Sequence, residues 1–214
     1  MTLLFALAAA MFYGVADYSG SRGSRLASSA AITFVGQAAA LVIIAAYLLV
    51  FRSSPPPLES WLWTTGGGFG GAIALVAFYQ AMSKGSMTVI APITAVIGLS
   101  VPVIAGFIQG ERPEPLAWFG IALAVVAVAL VGDVLDKHDL PTSMSAIWLA
   151  VAAGFGFGMI FVCMANASHD HGIWPLFGQR LVSVPTVAAI ALIQVRKITV
   201  PKEAIGFALA AGIL

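Results

Sequence analysis

The segment Met87–Ile108, MTVIAPITAVIGLSVPVIAGFI, contains no ionisable side chain and is followed closely by a group of charged residues. An α-helix rises about 1.5 Å per residue, so a helix of this length covers the hydrocarbon core of a bilayer, which is roughly 30 Å thick. The segment therefore predicts a membrane-spanning helix.

Two prolines, Pro92 and Pro102, lie inside this predicted span. Each proline removes a backbone donor and leaves a carbonyl one turn earlier unpaired, which lipid does not tolerate unless neighbouring helices or water satisfy it. We therefore expect the helix to pack inside a bundle. Two interpretations are open: a kinked structural helix, or a wall of a transport pathway where broken helices expose carbonyls to a solute. The polar flanks of the segment favour the pathway.

The composition places the chain outside the soluble class, because 60% of its residues are hydrophobic and only 9% are charged, against about a quarter in soluble domains. The net charge of +1, without any basic stripe, excludes nucleic acid as a partner. The single cysteine, Cys163, predicts a buried free thiol. His169 and His171 flank Asp170 in a short connection, which indicates a solvated loop rather than a metal site. We predict neither a metal nor a cofactor.

Further apolar runs extend along the whole chain and predict an all-α, polytopic membrane protein. The predicted spans cover residues 2–19, 29–50, 87–108, 115–132 and 145–164, with a third span opened by Trp61 and Trp63 and a seventh holding Arg180. The final apolar segment, 204–214, is about 16 Å of helix, or half a bilayer. We therefore expect seven full spans and a truncated eighth, out of ten in the complete protein.

Asp17 is the only carboxylate inside any of the apolar runs, and it lies near the end of the first one. A charge at the bilayer centre costs roughly 3 kcal/mol on insertion scales, so such a residue needs an explanation. One interpretation is an interfacial carboxylate beside Arg22. The other is a substrate or proton site that includes Tyr13, one turn earlier on the same helix face.

The third span contains two further polar side chains, Tyr79 and Gln80, and a glycine-rich start between Gly66 and Gly71. The glycines predict close approach of neighbouring helices. A buried hydroxyl or amide needs a hydrogen-bond partner, and a solute could supply it. Tyr79 and Gln80 are therefore candidate cavity residues.

The two halves of the chain repeat one another at an offset of 142 positions, which drifts to 144 later on. The matching pairs are Tyr13-Gly14 with Phe155-Gly156, and Gly36-Gln37 with Gly178-Gln179. The repeat predicts one unit over residues 1–135 and a second over 143–214. Because an odd number of spans separates the copies, the second unit would be inverted in the membrane, as in inverted-repeat transporters. The repeat makes Phe155 the counterpart of Tyr13 and a candidate for the same cavity.

The sequence also resembles a known family. The MSKGSM turn, the APIT proline, the second proline and the terminal GER are similar to the fourth helix of the EamA-type domain of the drug/metabolite transporter superfamily. The following LAWFGIALAVVAVALVG, with Gly120, is similar to the fifth helix, and the whole chain can be laid on the family's plan. Gly110 and Glu111 match the family's GE signature, for which a charged turn at the membrane surface is favoured over contact with substrate.

Arg180 matches an arginine that the family often has at this point of the repeat, whereas Ala38 departs from it in the first copy. Arg180 could extend to the membrane interface or face the central cavity. The family does not as a rule place a carboxylate at the position of Asp17, so the resemblance gives that residue no role.

The resemblance implies a cell-membrane carrier that exports or exchanges small organic solutes such as amino acids, metabolites or drugs by alternating access between the two repeats. Its implied partners are a solute, the lipid bilayer, and a coupling proton or counter-solute as a further candidate. The alternatives are a membrane-embedded enzyme, for which only Asp17 is a candidate catalytic group, and a structural subunit of a membrane complex.

Overall fold

The computed structural model describes residues 2–134, 142–167, 171–195 and 198–213. These residues form helices and connections without any strand, so the prediction of an all-α protein is confirmed. The predicted loop residues His169 and Asp170 lie outside the described part of the chain. The helices are α1 (Thr2–Ser24), α2 (Ser29–Phe51), α3 (Leu58–Lys84), α4 (Met87–Ile108), α5 (Pro115–Val134), α6 (Met144–Asn166), α7 (Trp174–Val195) and α8 (Lys202–Ile213).

Serine side chains define the starts of three helices. Ser28, Ser86 and Ser143 precede α2, α4 and α6, and each hydroxyl accepts a hydrogen bond from a backbone N–H in the first turn that follows. These bonds satisfy donors that a helix start leaves without an intrahelical partner. At the other end of α2, Arg52 adopts a left-handed conformation and its N–H bonds the carbonyl of Leu48, which ends the helix.

Five helices in the described residues are long and apolar enough to cross a membrane: α2, α3, α4, α6 and α7. The apolar part of α5, Pro115–Val128, is shorter. A protein with several such helices is a polytopic membrane protein. Spans two, three, four, six and seven of the sequence-based prediction coincide with these helices, whereas the full number of spans stays a prediction.

The centre of the bundle is α3, which packs against α6 along one side and α7 along another. α4 packs on α6, α2 packs on both α7 and α8, and α1 packs on α8, while α5 lies against α4. Three clusters of buried side chains result, and alanine is the commonest residue in each of them. Small side chains let helices approach closely, which is how helices associate in lipid.

The glycine run 66–71 forms the close contacts of α3 that the sequence predicted. A Cβ atom on Gly68 would lie 2.7 Å from the Val182 side chain of α7. On the α6 side, a Cβ atom on Gly156 would lie 2.7 Å from the carbonyl oxygen of Gly70. Real Cβ atoms do not approach other atoms so closely, so only glycine permits these helix separations.

The proline-containing α4 is held to α6 by small residues and by one hydroxyl. The Thr94 hydroxyl donates a hydrogen bond of 3.2 Å to the carbonyl oxygen of Ala150. A Cβ atom on Gly158 of α6 would overlap the Val101 side chain. The expectation that this helix packs inside a bundle is therefore met along its α6 face, and Pro92 and Pro102 are both half-buried.

Aromatic and polar contacts join the start of α7 to the start of α3. The indole N–H of Trp174 donates to the carbonyl of Ser53 at 3.0 Å, and the ring centroids of Trp61 and Trp174 lie 5.9 Å apart. A ring nitrogen of His171 lies 3.2 Å from the carbonyl oxygen of Ser54. These contacts set the register in which α7 presents Arg180 toward the interior of the bundle.

Candidate functional site

One face of α1 carries Tyr13, Asp17 and Gly20, which are spaced four and three residues apart and therefore lie one above another. Asp17 is half-buried and Gly20 is buried, whereas 66% of the Tyr13 surface is exposed. Along this face, an exposed aromatic ring is followed by a half-buried carboxyl group.

Tyr79 of α3 packs directly on this face of α1. A Cβ atom on Gly20 would overlap the Tyr79 ring and its hydroxyl, so glycine at this position makes room for the tyrosine. Only 2% of the Tyr79 surface is exposed, and its ring lies 5.8 Å from that of Phe78. The Tyr79 hydroxyl is within electrostatic range of the Asp17 carboxylate.

Arg180 belongs to α7, which packs on α3, the helix of Tyr79. Its guanidinium group is within electrostatic range of Tyr79 and of Tyr13. Four of the predicted cavity residues, contributed by α1, α3 and α7, are thus gathered in one place. Arg180 is half-buried, and its assignment to a central cavity stays a prediction.

The two ionisable side chains Asp17 and Arg180 have no close partner of opposite charge among the described residues. Among the described residues, neither the Asp17 carboxylate nor the Arg180 guanidinium makes a side-chain hydrogen bond or an ion pair, and Arg22 does not pair with Asp17. Charges inside a membrane bundle are normally paired, so unpaired ones mark a site where a ligand can supply the partner. We call Tyr13, Asp17, Tyr79 and Arg180 the polar cluster.

Buried amides hold the backbone of α7 near Arg180. Ser183 lies one turn after Arg180 on α7. Its hydroxyl donates a hydrogen bond to the side-chain oxygen of Gln37 on α2. The Gln179 amide nitrogen lies 3.5 Å from the carbonyl oxygen of Gly67 on α3. These contacts connect α7 to both neighbouring helices one turn or less from Arg180.

Among the described residues, no side-chain hydrogen bond or ring contact joins the remaining predicted cavity residues to the polar cluster. Gln80 is half-buried on α3. It follows Tyr79 in the sequence, so its side chain lies on a different face of the helix. Phe155 of α6 is 60% exposed. Pro92 lines a separate apolar cleft of about 320 Å³ between α4 and α5, whose other walls include Val125 and Val128.

The GE signature caps the end of α4. Gly110 has a left-handed backbone (φ 90°), its N–H bonds the Phe107 carbonyl at 3.1 Å, and the Glu111 N–H bonds the Gly106 carbonyl at 2.9 Å. Together these bonds form a Schellman motif, which satisfies carbonyls at a helix end. Gly110 and Glu111 are both exposed, in agreement with a structural turn rather than a substrate contact.

Sequence reasoning missed two residues that shape the site. Gly20 shares the helix face of Asp17, which its spacing in the sequence shows, but only the structure shows that its replacement would collide with Tyr79. Gln37 was noted only as a marker of the repeat, yet its side chain is 2% exposed and its amide nitrogen has no hydrogen-bond partner among the described residues. No local pattern could have shown that α7 places Ser183 against it.

The model of the EamA-like transporter family matches residues 1–132, which is more than half of the chain and extends from α1 to the last turn of α5. The chain belongs to the EamA-like transporter family.

The EamA family is part of the drug/metabolite transporter superfamily, so the resemblance drawn from the MSKGSM, APIT and GER segments is confirmed. Membership makes the chain a membrane transporter that interacts with a solute and with the lipid bilayer. No curated protein matches its sequence significantly.

Proposed function

We propose that this EamA protein is a carrier that exports or exchanges small organic solutes across a plasma or bacterial inner membrane, and that it is not an enzyme. The observation that carries the proposal is the polar cluster: four polar side chains from three helices of an apolar bundle, of which Asp17 and Arg180 have no ion-pair partner among the described residues. A carrier needs such groups to replace the hydration of its solute, whereas a scaffold of helices does not.

We further propose that residues 1–135 and 143–214 are inverted repeats that move against one another. The pairing of helices supports this proposal when α6, α7 and α8 are taken as counterparts of α1, α2 and α3. The contact of α1 with α8 then corresponds to that of α6 with α3, and the contact of α2 with α8 to that of α7 with α3. Repeats related in this way allow alternating access around a fixed site.

Individual glycines support the same correspondence. Gly36 of α2 lies against the carbonyl oxygen of Ala208 on α8, and Gly178 of α7 lies against the hydroxyl of Thr64 on α3. The repeat pairs Gly36 with Gly178, and Ala208 follows Thr64 by 144 positions, the second offset found in the sequence. The two close approaches are therefore counterparts of one another.

Flux across proteoliposomes tests the proposal. The purified chain is reconstituted, and uptake of radiolabelled amino acids, other metabolites and organic cations is compared with uptake into protein-free vesicles. We expect Arg180→Gln to lower the flux of a transported solute at least about tenfold, because a hydrogen bond to a charged group is lost. Glu111→Gln, on the exposed turn, is the matched control and should leave flux unchanged.

Two additions to the same vesicles test what drives the carrier. A pH gradient that accelerates uptake identifies a coupling proton, and preloading with unlabelled solute that accelerates uptake identifies a counter-solute. If no solute of the panel moves faster than through protein-free vesicles, the proposed carrier function is wrong.

A further inference from the structure

We propose that anionic phospholipid headgroups bind at one end of the helix bundle, where α1 and α3 end and α2, α4 and α8 begin. This inference is independent of the proposed carrier function, because it concerns the surrounding lipid and not the solute. We call this end of the bundle the basic end, after its four exposed cationic side chains: Arg22, Arg25, Lys84 and Lys202.

Contacts between helix ends place the four cations on one side of the membrane. The Arg25 guanidinium donates a hydrogen bond of 3.5 Å to the carbonyl oxygen of Met82, and α3 ends two residues later at Lys84. Near the start of α8, Ala204 packs with Ile32, which lies near the start of α2. Because α2 begins shortly after α1 ends, the first residue of α8 lies at the same end as the arginines.

The last turn of α1 directs its two arginines away from the bundle. The Arg25 N–H bonds the Arg22 carbonyl at 3.2 Å, and residues three apart in such a turn lie above one another. Both arginines are exposed, whereas Gly23 between them is buried. A Cβ atom on Gly23 would lie 3.2 Å from the side chains of Ile32 and Phe207, so this turn packs closely on α2 and α8. The packing therefore holds both guanidinium groups on the outer surface.

The two ends of the bundle differ in the sign of their charge. The basic end has one exposed acidic side chain, Glu203, beside its four cations, and none of the five forms an ion pair among the described residues. The ionisable residues at 133–139 and 196–197, whose side chains are not described, include three acidic and three basic ones and leave this excess unchanged. The opposite end exposes two basic and three acidic side chains: Arg52, Arg112, Glu59, Glu111 and Glu114.

The position of the cations favours a lipid headgroup over a soluble anion. They lie at the ends of bilayer-spanning helices, and long basic side chains there extend into the headgroup layer. Each cation near an anionic leaflet strengthens the attraction about fivefold. Leu26 and Met87 are exposed apolar side chains at the same end and can contact acyl chains. A surface that combines cations with exposed apolar groups matches a lipid better than free phosphate.

Two lipids with the same acyl chains test the proposal: dioleoylphosphatidylglycerol, which carries one negative charge, and dioleoylphosphatidylcholine, which has no net charge. Each is titrated into the purified chain in a neutral detergent, and bound lipid is counted by native mass spectrometry. We expect phosphatidylglycerol to bind about five- to twenty-five-fold more tightly, the contribution of one or two cations to one headgroup. The preference should fall as the concentration of ammonium acetate rises, because exposed charges are screened.

Variants that remove two cations from either end locate the binding surface. Arg22→Gln together with Arg25→Gln should lower the preference for phosphatidylglycerol about fivefold or more. Arg52→Gln together with Arg112→Gln is the matched control, because it removes the same two charges from the opposite end and should keep the preference. Lys84→Gln together with Lys202→Gln should have a smaller effect than the arginine pair, since lysine does not form bidentate bonds to phosphate. Unchanged binding of phosphatidylcholine shows that each variant is folded.

Three outcomes would overturn the proposal. If both lipids bind the unaltered protein equally tightly, the basic residues serve only to orient the chain during insertion. If the control variant loses as much of the preference as the variant of the basic end, the preference follows total charge and not this surface. If inorganic phosphate displaces phosphatidylglycerol more than acetate of equal ionic strength does, the surface binds phosphate itself and the lipid is not its specific ligand.

Discussion

Helices α3 and α5 show how differently two helices of one membrane protein can be used. α5 is almost wholly apolar, yet none of its described side chains is buried, and it lies against α4 with the apolar cleft between them. α3 contains Tyr79, Gln80 and many glycines, yet half of its most apolar stretch is buried and it contacts both α6 and α7. The more polar helix is the one at the centre.

The reason for this difference is that lipid is as apolar as leucine, so hydrophobicity does not draw a helix into the interior of a membrane bundle. Close packing does, and it requires small residues where backbones meet. In α3 the run 66–71 provides them, whereas Gly120 of α5 has open space where its side chain would be. In such a protein, small residues at facing positions therefore predict which helices are buried.

The largest effect expected to test this comparison is on thiol labelling, because each introduced cysteine either reacts or does not react. In a Cys163→Ala background, cysteine at Tyr13 or Asp17 should react with a small water-soluble thiol reagent, because the proposed solute pathway is open to water. Cysteine at Val125 or Val128, in the cleft of α4 and α5, should stay unreactive because thiolate does not form in lipid. Equal labelling at all four positions would contradict the distinction between cluster and cleft.

Cysteine at Pro92 and at Phe155 sharpens the same comparison. Both residues were predicted from the sequence to share one cavity with Tyr13 and Asp17, but Pro92 lines the cleft and Phe155 is exposed on α6. We expect a transported solute to protect the cysteines of the polar cluster and to leave the Pro92 cysteine unaffected. Protection of the Pro92 and Phe155 cysteines together with the Asp17 cysteine would restore the single cavity.

The next effect is on the free energy of unfolding, which a glycine-to-alanine substitution should lower in α6 and raise in α5. Gly156→Ala should destabilise the protein by about 1–3 kcal/mol, because the new methyl group meets the backbone of α3 at 2.7 Å. Gly120→Ala meets nothing within 4 Å and should stabilise α5 by up to about 1 kcal/mol, the helix preference of alanine over glycine. The free energy of unfolding in mixed micelles measures both. A loss of stability in Gly120→Ala would show that α5 has a packed face after all.

The smallest effect concerns two hydroxyl groups of α4. Thr94→Val removes the hydrogen bond to Ala150 of α6 and should cost about 0.6 kcal/mol, the average for such bonds in membrane bundles. Ser100→Ala is the matched control, because its exposed hydroxyl bonds only the Val96 carbonyl of its own helix. The same unfolding assay applies. Equal costs for both substitutions would mean that the bond to α6 contributes nothing of its own.

Much of the fold could be predicted because its elements are set by local rules. The fourth span was expected over residues 87–108 and is found there, since a serine cap and a glycine turn define its ends. Close packing of the glycine run was also predictable from residue size. The packing of Tyr79 on Gly20 was not, because a sequence does not show which faces of α1 and α3 meet. The choice between the two interpretations of Asp17 stays open.

By itself, the sequence determined that this protein is an all-helical membrane protein, where its second and fourth helices lie, and which family it resembles. These properties follow from hydropathy, capping residues and motifs, each of which is contained in a short stretch of chain. Only the tertiary structure decided which polar residues belong together. It packed Tyr79 on the face of α1 that carries Asp17 and Gly20, and it placed Pro92 in the cleft between α4 and α5. The physical reason is that helix neighbours are chosen by complementary small surfaces distributed over distant segments, and those surfaces exist only once the helices have packed.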